Sequence, residues 1–134
     1  MVVDTSVWID LLNGRGSAEA SHLARALDVG EPVLVPGLVL TELLQGLPNE
    51  AVAMHIAELM TAFPSPLELE TGDYRSAAGL YRACRARGMT PRSTIDCILA
   101  QICLKFDVPI LARDRDFELI AQIAPLKIVA AVSG

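Results

Sequence analysis

Hydrophobic and polar positions alternate along the chain between two spacings, one typical of buried strands and the other of amphipathic helices. Short aliphatic runs predict a first strand that ends at Asp4, further strands at 33–35, 109–112 and 127–132, and a short edge strand at 67–69. Helical spacing predicts a helix that starts at Thr5 or Ser6, and others at 18–29, 37–46, about 50–62, about 71–87, 93–104 and 117–123. This alternation predicts an α/β fold, in which a central, mainly parallel sheet is flanked by helices as an α/β/α sandwich.

The composition agrees with a sheet that is covered on both faces. The chain has 134 residues, 52% of them hydrophobic and only 4% aromatic, which is typical of one compact domain with an aliphatic core. No apolar run approaches the roughly 18 residues of a membrane span, and no secretory signal is visible, so we expect a cytoplasmic protein away from membranes. Three cysteines without a C-x-x-C pair argue against a disulfide framework or a zinc knuckle.

Acidic residues stand where the predicted packing should leave little water. Asp4 follows the first strand, Asp114 and Asp116 follow the strand at 109–112, Glu42 lies among leucines, and Asp96 lies near the start of an apolar helix. Parallel strands bring their carboxyl ends to one edge of the sheet, and the helices that carry Glu42 and Asp96 start from that edge. An unpaired buried carboxylate costs several kcal/mol, so a cation is expected among these acids. Carboxylate oxygens without histidine or cysteine partners favour Mg²⁺ or Mn²⁺.

Each acid also has a simpler explanation when it is taken alone. Asp4 is in place to cap a helix, and Asp96 is in a first turn, where the helix dipole favours an acid. Asp114 and Asp116 fit a loop and a cap, and Glu42 could pair with an arginine. Only the expected convergence of all these acids at one rim favours a metal site.

The charge of the chain is unevenly distributed. The net charge of −5 argues against a general nucleic-acid binder. However, residues 75–92 carry five arginines and no acid, so this segment holds +5 and the remainder −10. A cationic strip beside an anionic metal site predicts metal-assisted hydrolysis of a phosphodiester, with arginines such as Arg92 in contact with the phosphates of the substrate.

The order of these motifs resembles that of a known family. The chain begins with Val3-Asp4-Thr5-Ser6-Val7-Trp8-Ile9-Asp10, continues through Thr41-Glu42-Leu43-Leu44 and an Asp96 that follows Ser93-Thr94, and reaches Arg113-Asp114-Arg115-Asp116-Phe117. This pattern resembles a PIN domain, specifically the VapC toxin ribonucleases of VapBC toxin–antitoxin pairs. The resemblance covers the whole chain, residues 1–134, as one PIN-like domain.

The resemblance implies an endoribonuclease that depends on Mg²⁺ or Mn²⁺ and cleaves RNA. By analogy, Asp4 and Asp96 hold the metal most directly, and Glu42 and Asp114 hold a second ion or its waters. Asp116 is a possible fifth acid, or fills the fourth place instead of Asp114. The resemblance also implies a homodimer and a cognate VapB-like antitoxin that covers the site. Three hydroxyl residues are expected either to bind carboxylates or substrate or to cap helices: Thr5, Ser6 and Thr94.

Other classes of protein fit less well. A phosphotransfer enzyme of the haloacid-dehalogenase type needs a second aspartate two residues after the first, where this chain has Ser6. A response-regulator receiver needs paired acids near its start and an aspartate after a middle strand, and neither is present as expected. A non-catalytic PIN-like binding module, regulated by a partner protein, stays open. It predicts no metal dependence.

Overall fold

A computed structural model describes residues 1–65 and 68–131 of the chain. Within these residues the helices and strands follow one another in the order β1 (Val2–Val3), α1 (Thr5–Leu12), α2 (Ala18–Asp28), α3 (Gly37–Gln45), α4 (Glu50–Met60), α5 (Thr71–Ala86), α6 (Thr94–Lys105), β2 (Ile110–Leu111) and α7 (Arg115–Ala121). The predicted α/β class is confirmed, and each predicted helix is present with its ends shifted by a few residues at most.

The sheet is parallel and small. β1 pairs with β2, so that Val2 lies opposite Ile110 and Val3 opposite Leu111. Single parallel bridges extend the sheet on both sides, from Leu34 to Val2 and from Ile128 to Ile110. The order across the sheet is therefore residue 34, β1, β2 and residue 128, and this order places the first strand beside a segment more than a hundred residues away.

Two predicted outer strands are shorter than expected. The strand predicted at 33–35 is reduced to the bridge at Leu34, because the Val35 N–H turns away to the Pro64 carbonyl (2.9 Å) and Pro36 already occupies the N-cap of α3. The strand predicted at 127–132 is reduced to the bridge at Ile128, and residue 132 lies outside the described residues. The edge strand predicted at 67–69 is wrong for Glu68 and Leu69, which are not in a strand, and residue 67 lies outside the described residues.

The core joins the sheet to two groups of helices. In the first group, α1 packs against α2 and α3, and α3 packs against α4; in the second group, α6 packs against α5 and α7. Both groups contribute to the buried cluster that contains all four strand residues, each completely inaccessible to solvent. α6 is buried along most of its length, as its apolar sequence predicts. Burial of one such aliphatic side chain contributes about 2 kcal/mol to stability.

Side-chain caps fix the ends of several helices. Ser93 Oγ accepts the Ile95 N–H at the start of α6 (3.1 Å), and Asp114 Oδ1 accepts the Asp116 N–H at the start of α7 (2.9 Å). The Asp114 cap starts α7 at residue 115, two residues earlier than the hydrophobic pattern predicts. α5 ends at Ala86, and the predicted stop at Gly88 follows two residues later, with a φ of 75° that suits the left-handed turn after a helix.

Among the residues that the structure describes, no helix has both the length and the hydrophobicity that are needed to span a bilayer.

Candidate active site

Asp4 stands at the junction of β1 and α1. Its backbone N–H donates to the Leu111 carbonyl (2.9 Å), so the sheet fixes its position. Although Asp4 occupies the N-cap position of α1, its side chain makes no capping hydrogen bond. Its Oδ2 instead accepts the Ser6 hydroxyl at 2.6 Å, and the residue is only 6% exposed. The helix-capping explanation therefore does not account for this carboxylate.

Glu42 faces the start of α1 from α3. Val39 and Leu43 bury one side of α3, and Glu42, three residues after Val39, lies at the half-buried margin of that side. The Thr5 hydroxyl donates to Glu42 Oε1 at 2.9 Å. Glu42 forms no ion pair with an arginine within the described part of the chain. Its partner is Thr5.

Asp96, Asp114 and Asp116 form a compact cluster. Each offers a carboxylate oxygen, and these oxygens all lie within 4.8 Å of one another. Asp116 is fully buried, and its Oδ2 accepts the Arg92 backbone N–H at 2.7 Å. Its other oxygen, Oδ1, is buried and receives no hydrogen bond from any described residue. A buried carboxylate oxygen without a donor needs either a proton or a cation nearby.

One cavity of about 340 Å³ gathers most of the predicted acids. We call it the acid cavity; it is lined by Asp4, Thr5, Ser6, Ile9, Glu42, Gln45, Ser93, Asp96 and Asp114. Asp116 does not line it, because its side chain is completely enclosed by the protein. The strand end, two helix starts and the middle of α3 thus present four carboxylates to one space.

Burial and crowding strengthen proton binding in the acid cavity. Burial raises the pKa of Asp4, against the opposing effect of the Ser6 hydroxyl, and burial likewise raises the pKa of Glu42. The pKa of Asp96 rises to about 8, first because the group is buried and then because the carboxyl groups of Asp116, Asp4 and Asp114 are near. These directions describe an anionic site that lacks a compensating positive charge.

The donor set fits a hard divalent cation. The lining side chains offer carboxylate, hydroxyl and amide oxygens, which suit Mg²⁺ or Mn²⁺ better than zinc. Two ligands of one octahedral Mg²⁺ lie roughly 3 to 4 Å apart, a spacing that oxygens within 4.8 Å reach by small side-chain rotations or through a water. A cation in this cluster would also compensate the unpartnered Oδ1 of Asp116.

A second cavity, of about 360 Å³, adjoins the acid cavity. We call it the arginine cavity; its lining consists of Ser6, Arg92, Arg113, Asp114 and Arg115. Ser6 and Asp114 belong to both cavities, so these two residues form a shared wall. Arg113 is fixed by Asp10, whose Oδ2 lies 2.9 Å from Nε and whose Oδ1 accepts from Nη2 at 3.2 Å.

The arginine strip predicted at 75–92 is not one surface. Arg92 lines the arginine cavity, whereas Arg82 and Arg85 line a separate cavity on α5. Of the predicted substrate-binding residues, Thr5, Ser6 and Arg92 line one or both of the adjoining cavities. Thr94 is exposed as the first residue of α6 and lines neither.

Sequence reasoning missed four polar residues of these two cavities: Gln45, Ser93, Arg113 and Arg115. A signal existed for the arginines, because they alternate with the aspartates in Arg113-Asp114-Arg115-Asp116. The sequence around Ser93 indicates only the start of a helix. It caps α6 and at the same time lines the acid cavity. Nothing in the sequence marks Gln45 as a site residue, because a polar residue at the end of a helix such as α3 is ordinary.

Comparisons with family models and with curated proteins indicate the same family. The family model of the PIN domain matches residues 1–123. The VapC ribonuclease Mb1587 of Mycobacterium bovis is 31% identical over 128 residues, which cover 95% of this chain and 96% of the relative. Ribonuclease VapC11 of Mycobacterium tuberculosis shows the same identity and coverage.

Proposed function

The chain belongs to the PIN-domain family, and we propose that it is an endoribonuclease that acts as the toxin of a type II toxin–antitoxin pair. Its relatives of nearly equal length are named as VapC ribonucleases. The observation that carries the proposal is the convergence of Asp4, Glu42, Asp96 and Asp114 on one cavity. Ion pairing does not explain this concentration of buried and half-buried carboxyl groups, since none of the four has an ion-pair partner among the described residues.

The acids would have different tasks in hydrolysis. Asp4, Asp96 and Asp114 would hold Mg²⁺ or Mn²⁺, which when bound supplies a Lewis acid and lowers the pKa of water. Glu42 lies near Asp4 and is oriented by the Thr5 hydroxyl. Its pKa is raised by burial, so it is suited to accept a proton from the attacking water, or to hold a second ion.

Asp114, rather than Asp116, would fill the fourth place in the acidic set. Asp114 lines the acid cavity, whereas Asp116 is enclosed, and one of its oxygens already accepts the Arg92 N–H. Asp116 would then be a positioning residue, which holds the segment before α6 against the start of α7. Its unpartnered Oδ1 adds negative charge close to Asp96 and so strengthens the attraction of the cluster for a cation.

The substrate in this proposal is RNA in the cytoplasm, and the partners are those of a toxin. A cognate VapB-like antitoxin would cover the acid cavity, and the active toxin would be a homodimer. These assignments are supported by the kinship with VapC ribonucleases.

The test is cleavage of total RNA by the purified protein with Mg²⁺, Mn²⁺ or a chelator. We expect fragments with either metal and none with the chelator. Asp96→Asn should abolish cleavage while the protein stays folded, and the matched control Asp28→Asn, at the exposed end of α2, should cleave like the wild type. Wild-type-like cleavage by Asp96→Asn, or by the wild type in chelator, would refute the proposed mechanism.

A second candidate is the non-catalytic binding module. The closeness of the Asp96 and Asp116 carboxyl groups is the observation that favours this second candidate, because one shared proton could satisfy both groups without an ion. This candidate predicts no cleavage of any RNA and the same thermal stability with Mg²⁺ as with chelator.

A further inference from the structure

The arginine cavity has a composition that the hydrolytic chemistry does not require. Arg92, Arg113 and Arg115 come from three segments, namely the stretch before α6, the stretch after β2 and the first turn of α7. They surround one space whose only acidic lining residue is Asp114. Asp114 and Asp10, the partner of Arg113, supply two carboxylates, so the three guanidinium groups still leave an excess of positive charge that suits an anion.

An ion pair with Asp10 holds Arg113 in place. Asp10 is almost completely buried, with its side chain 4% exposed, while the Arg113 side chain is 48% exposed. The pair uses the Nε and one Nη2 hydrogen of the guanidinium, so the Nη1 edge is not engaged by Asp10. A guanidinium fixed on one edge loses less entropy when its other edge binds a ligand.

Arg92 and Arg115 are attached to the aspartate cluster through their backbones. The Arg92 N–H donates to Asp116 Oδ2, and Arg115 lies between the cluster members Asp114 and Asp116 in sequence. Both side chains are exposed, and neither forms an ion pair within residues 1–65 and 68–131. Their positions are therefore set by the catalytic cluster while their charges stay available.

We propose that Arg92, Arg113 and Arg115 form a phosphate-binding subsite that holds the RNA backbone at a linkage next to the one being cut. The inference rests on the proposed function, because the shared wall of Ser6 and Asp114 puts the subsite directly beside the acid cavity. A strand that places one phosphodiester at the acids has a neighbouring phosphodiester within reach of the arginines. Guanidinium groups bind phosphate oxygens in a bidentate manner, which fixes the register of the strand without reading its sequence.

The test is the affinity for a short fluorescein-labelled single-stranded RNA of mixed sequence, measured by anisotropy with Ca²⁺ in place of Mg²⁺. The variants are Arg92→Gln and Arg115→Gln, which break no ion pair, and Arg113→Lys, which keeps a charge opposite Asp10 but loses the fork. We expect each to weaken binding by about fivefold, and each Gln variant to make the dependence of log K on log salt shallower by about 0.7.

The matched control is Arg82→Gln, which removes the same charge from α5 at a cavity that shares no residue with the two adjoining cavities. It should change the affinity by less than about twofold. If Arg82→Gln weakens binding as much as the other variants do, the effect is one of overall charge, and the subsite is refuted. If the arginine variants bind RNA normally but lose affinity for a labelled poly-glutamate peptide, the cavity serves an acidic protein segment, and the subsite is likewise refuted.

Cleavage in Mg²⁺ separates this inference from the proposed function. Arginine-dependent binding by a protein that cuts no RNA supports the subsite and contradicts the endoribonuclease proposal. Metal-dependent cleavage with KM values unaffected by Arg92→Gln and Arg115→Gln supports the endoribonuclease and refutes the subsite. If both proposals hold, these variants should raise KM about fivefold, with a smaller effect on kcat.

Discussion

The carboxyl groups of Asp96 and Asp116 lie side by side, and Asp116 Oδ1 receives no hydrogen bond from any described residue. Asp116 is held there by the Arg92 N–H on its other oxygen, so it cannot turn away from Asp96 without leaving that donor unpaired. Burial and, after it, the neighbouring Asp116 carboxyl group raise the pKa of Asp96, so this point of the structure favours a bound proton or a metal ion.

The raised pKa of Asp96 predicts how stability depends on pH. Because its pKa is about 8 in the folded protein and close to 3.8 when unfolded, the folded state binds more protons between these values. Stability of the metal-free protein should therefore fall as the pH rises through this window. Burial raises the pKa of Asp4 and Glu42 in the same direction. In chelator, we expect a melting temperature several degrees higher at pH 5.5 than at pH 8.

Divalent metal should reverse this trend. A cation competes with protons for the carboxylates, so Mg²⁺ should raise the melting temperature more at pH 8 than at pH 5.5. Asp96→Asn provides the control, because it should flatten the pH dependence in chelator. An equal effect of Mg²⁺ at both pH values would contradict the assignment of the acid cavity as the metal site.

Asp114 and Asp116 should respond differently to substitution by asparagine. Asn is as good a helix cap as Asp, so Asp114→Asn should keep α7 but weaken Mn²⁺ binding by about tenfold or more. In Asp116→Asn, the new amide can donate to Asp96, which should lower the pKa of Asp96 and stabilise the metal-free protein. Mn²⁺ titration followed by calorimetry measures both. Weaker binding in Asp116→Asn than in Asp114→Asn would show that Asp116 holds the metal.

The hydrogen bond from Thr5 to Glu42 predicts a loss of activity in Thr5→Val. Valine has the same shape but cannot donate, so Glu42 loses its orientation. We expect cleavage to fall by about tenfold and stability by about 1 kcal/mol. Thr41→Val is the control on α3, because the Thr41 hydroxyl only donates to the Gly37 carbonyl of its own helix. Equal activity losses in both variants would mean that Glu42 needs no orientation by Thr5.

Asp10→Asn should separate RNA binding from metal binding. The substitution keeps the size of the side chain but removes the charge that fixes Arg113, at a cost of about 1 to 2 kcal/mol in stability. RNA affinity should fall about as much as in Arg113→Lys, and the two changes together should cost little more than either alone. Mn²⁺ affinity should be unchanged. Additive losses would indicate that Asp10 acts on RNA binding by some route other than Arg113.

The sequence was sufficient for the α/β class and for the gathering of Asp4, Glu42, Asp96 and Asp114, because strand ends and helix starts of a parallel sheet meet at one edge. It was not sufficient for the outer strands. Whether Val35 donates to the sheet or to Pro64 depends on a tertiary neighbour that no local pattern reveals.

The arginines show a second limit of sequence reasoning. A run of like charges from 75 to 92 suggested one surface, yet a helix distributes its side chains around its axis, and only Arg92, beyond the end of α5, reaches the site. Asp10 and Arg113 are separated by 103 positions of sequence, and no local pattern around either residue predicts that they form an ion pair.

The pairing of β1 with β2 has a consequence for the time at which the acid cavity can form during synthesis. The Asp4 N–H is hydrogen-bonded to the Leu111 carbonyl, and Asp114 lines the same cavity as Asp4. A ribosome must therefore translate well past codon 114 before the first strand can find its neighbour. A nascent chain with this connectivity cannot assemble the acid cavity until both strands have left the ribosome.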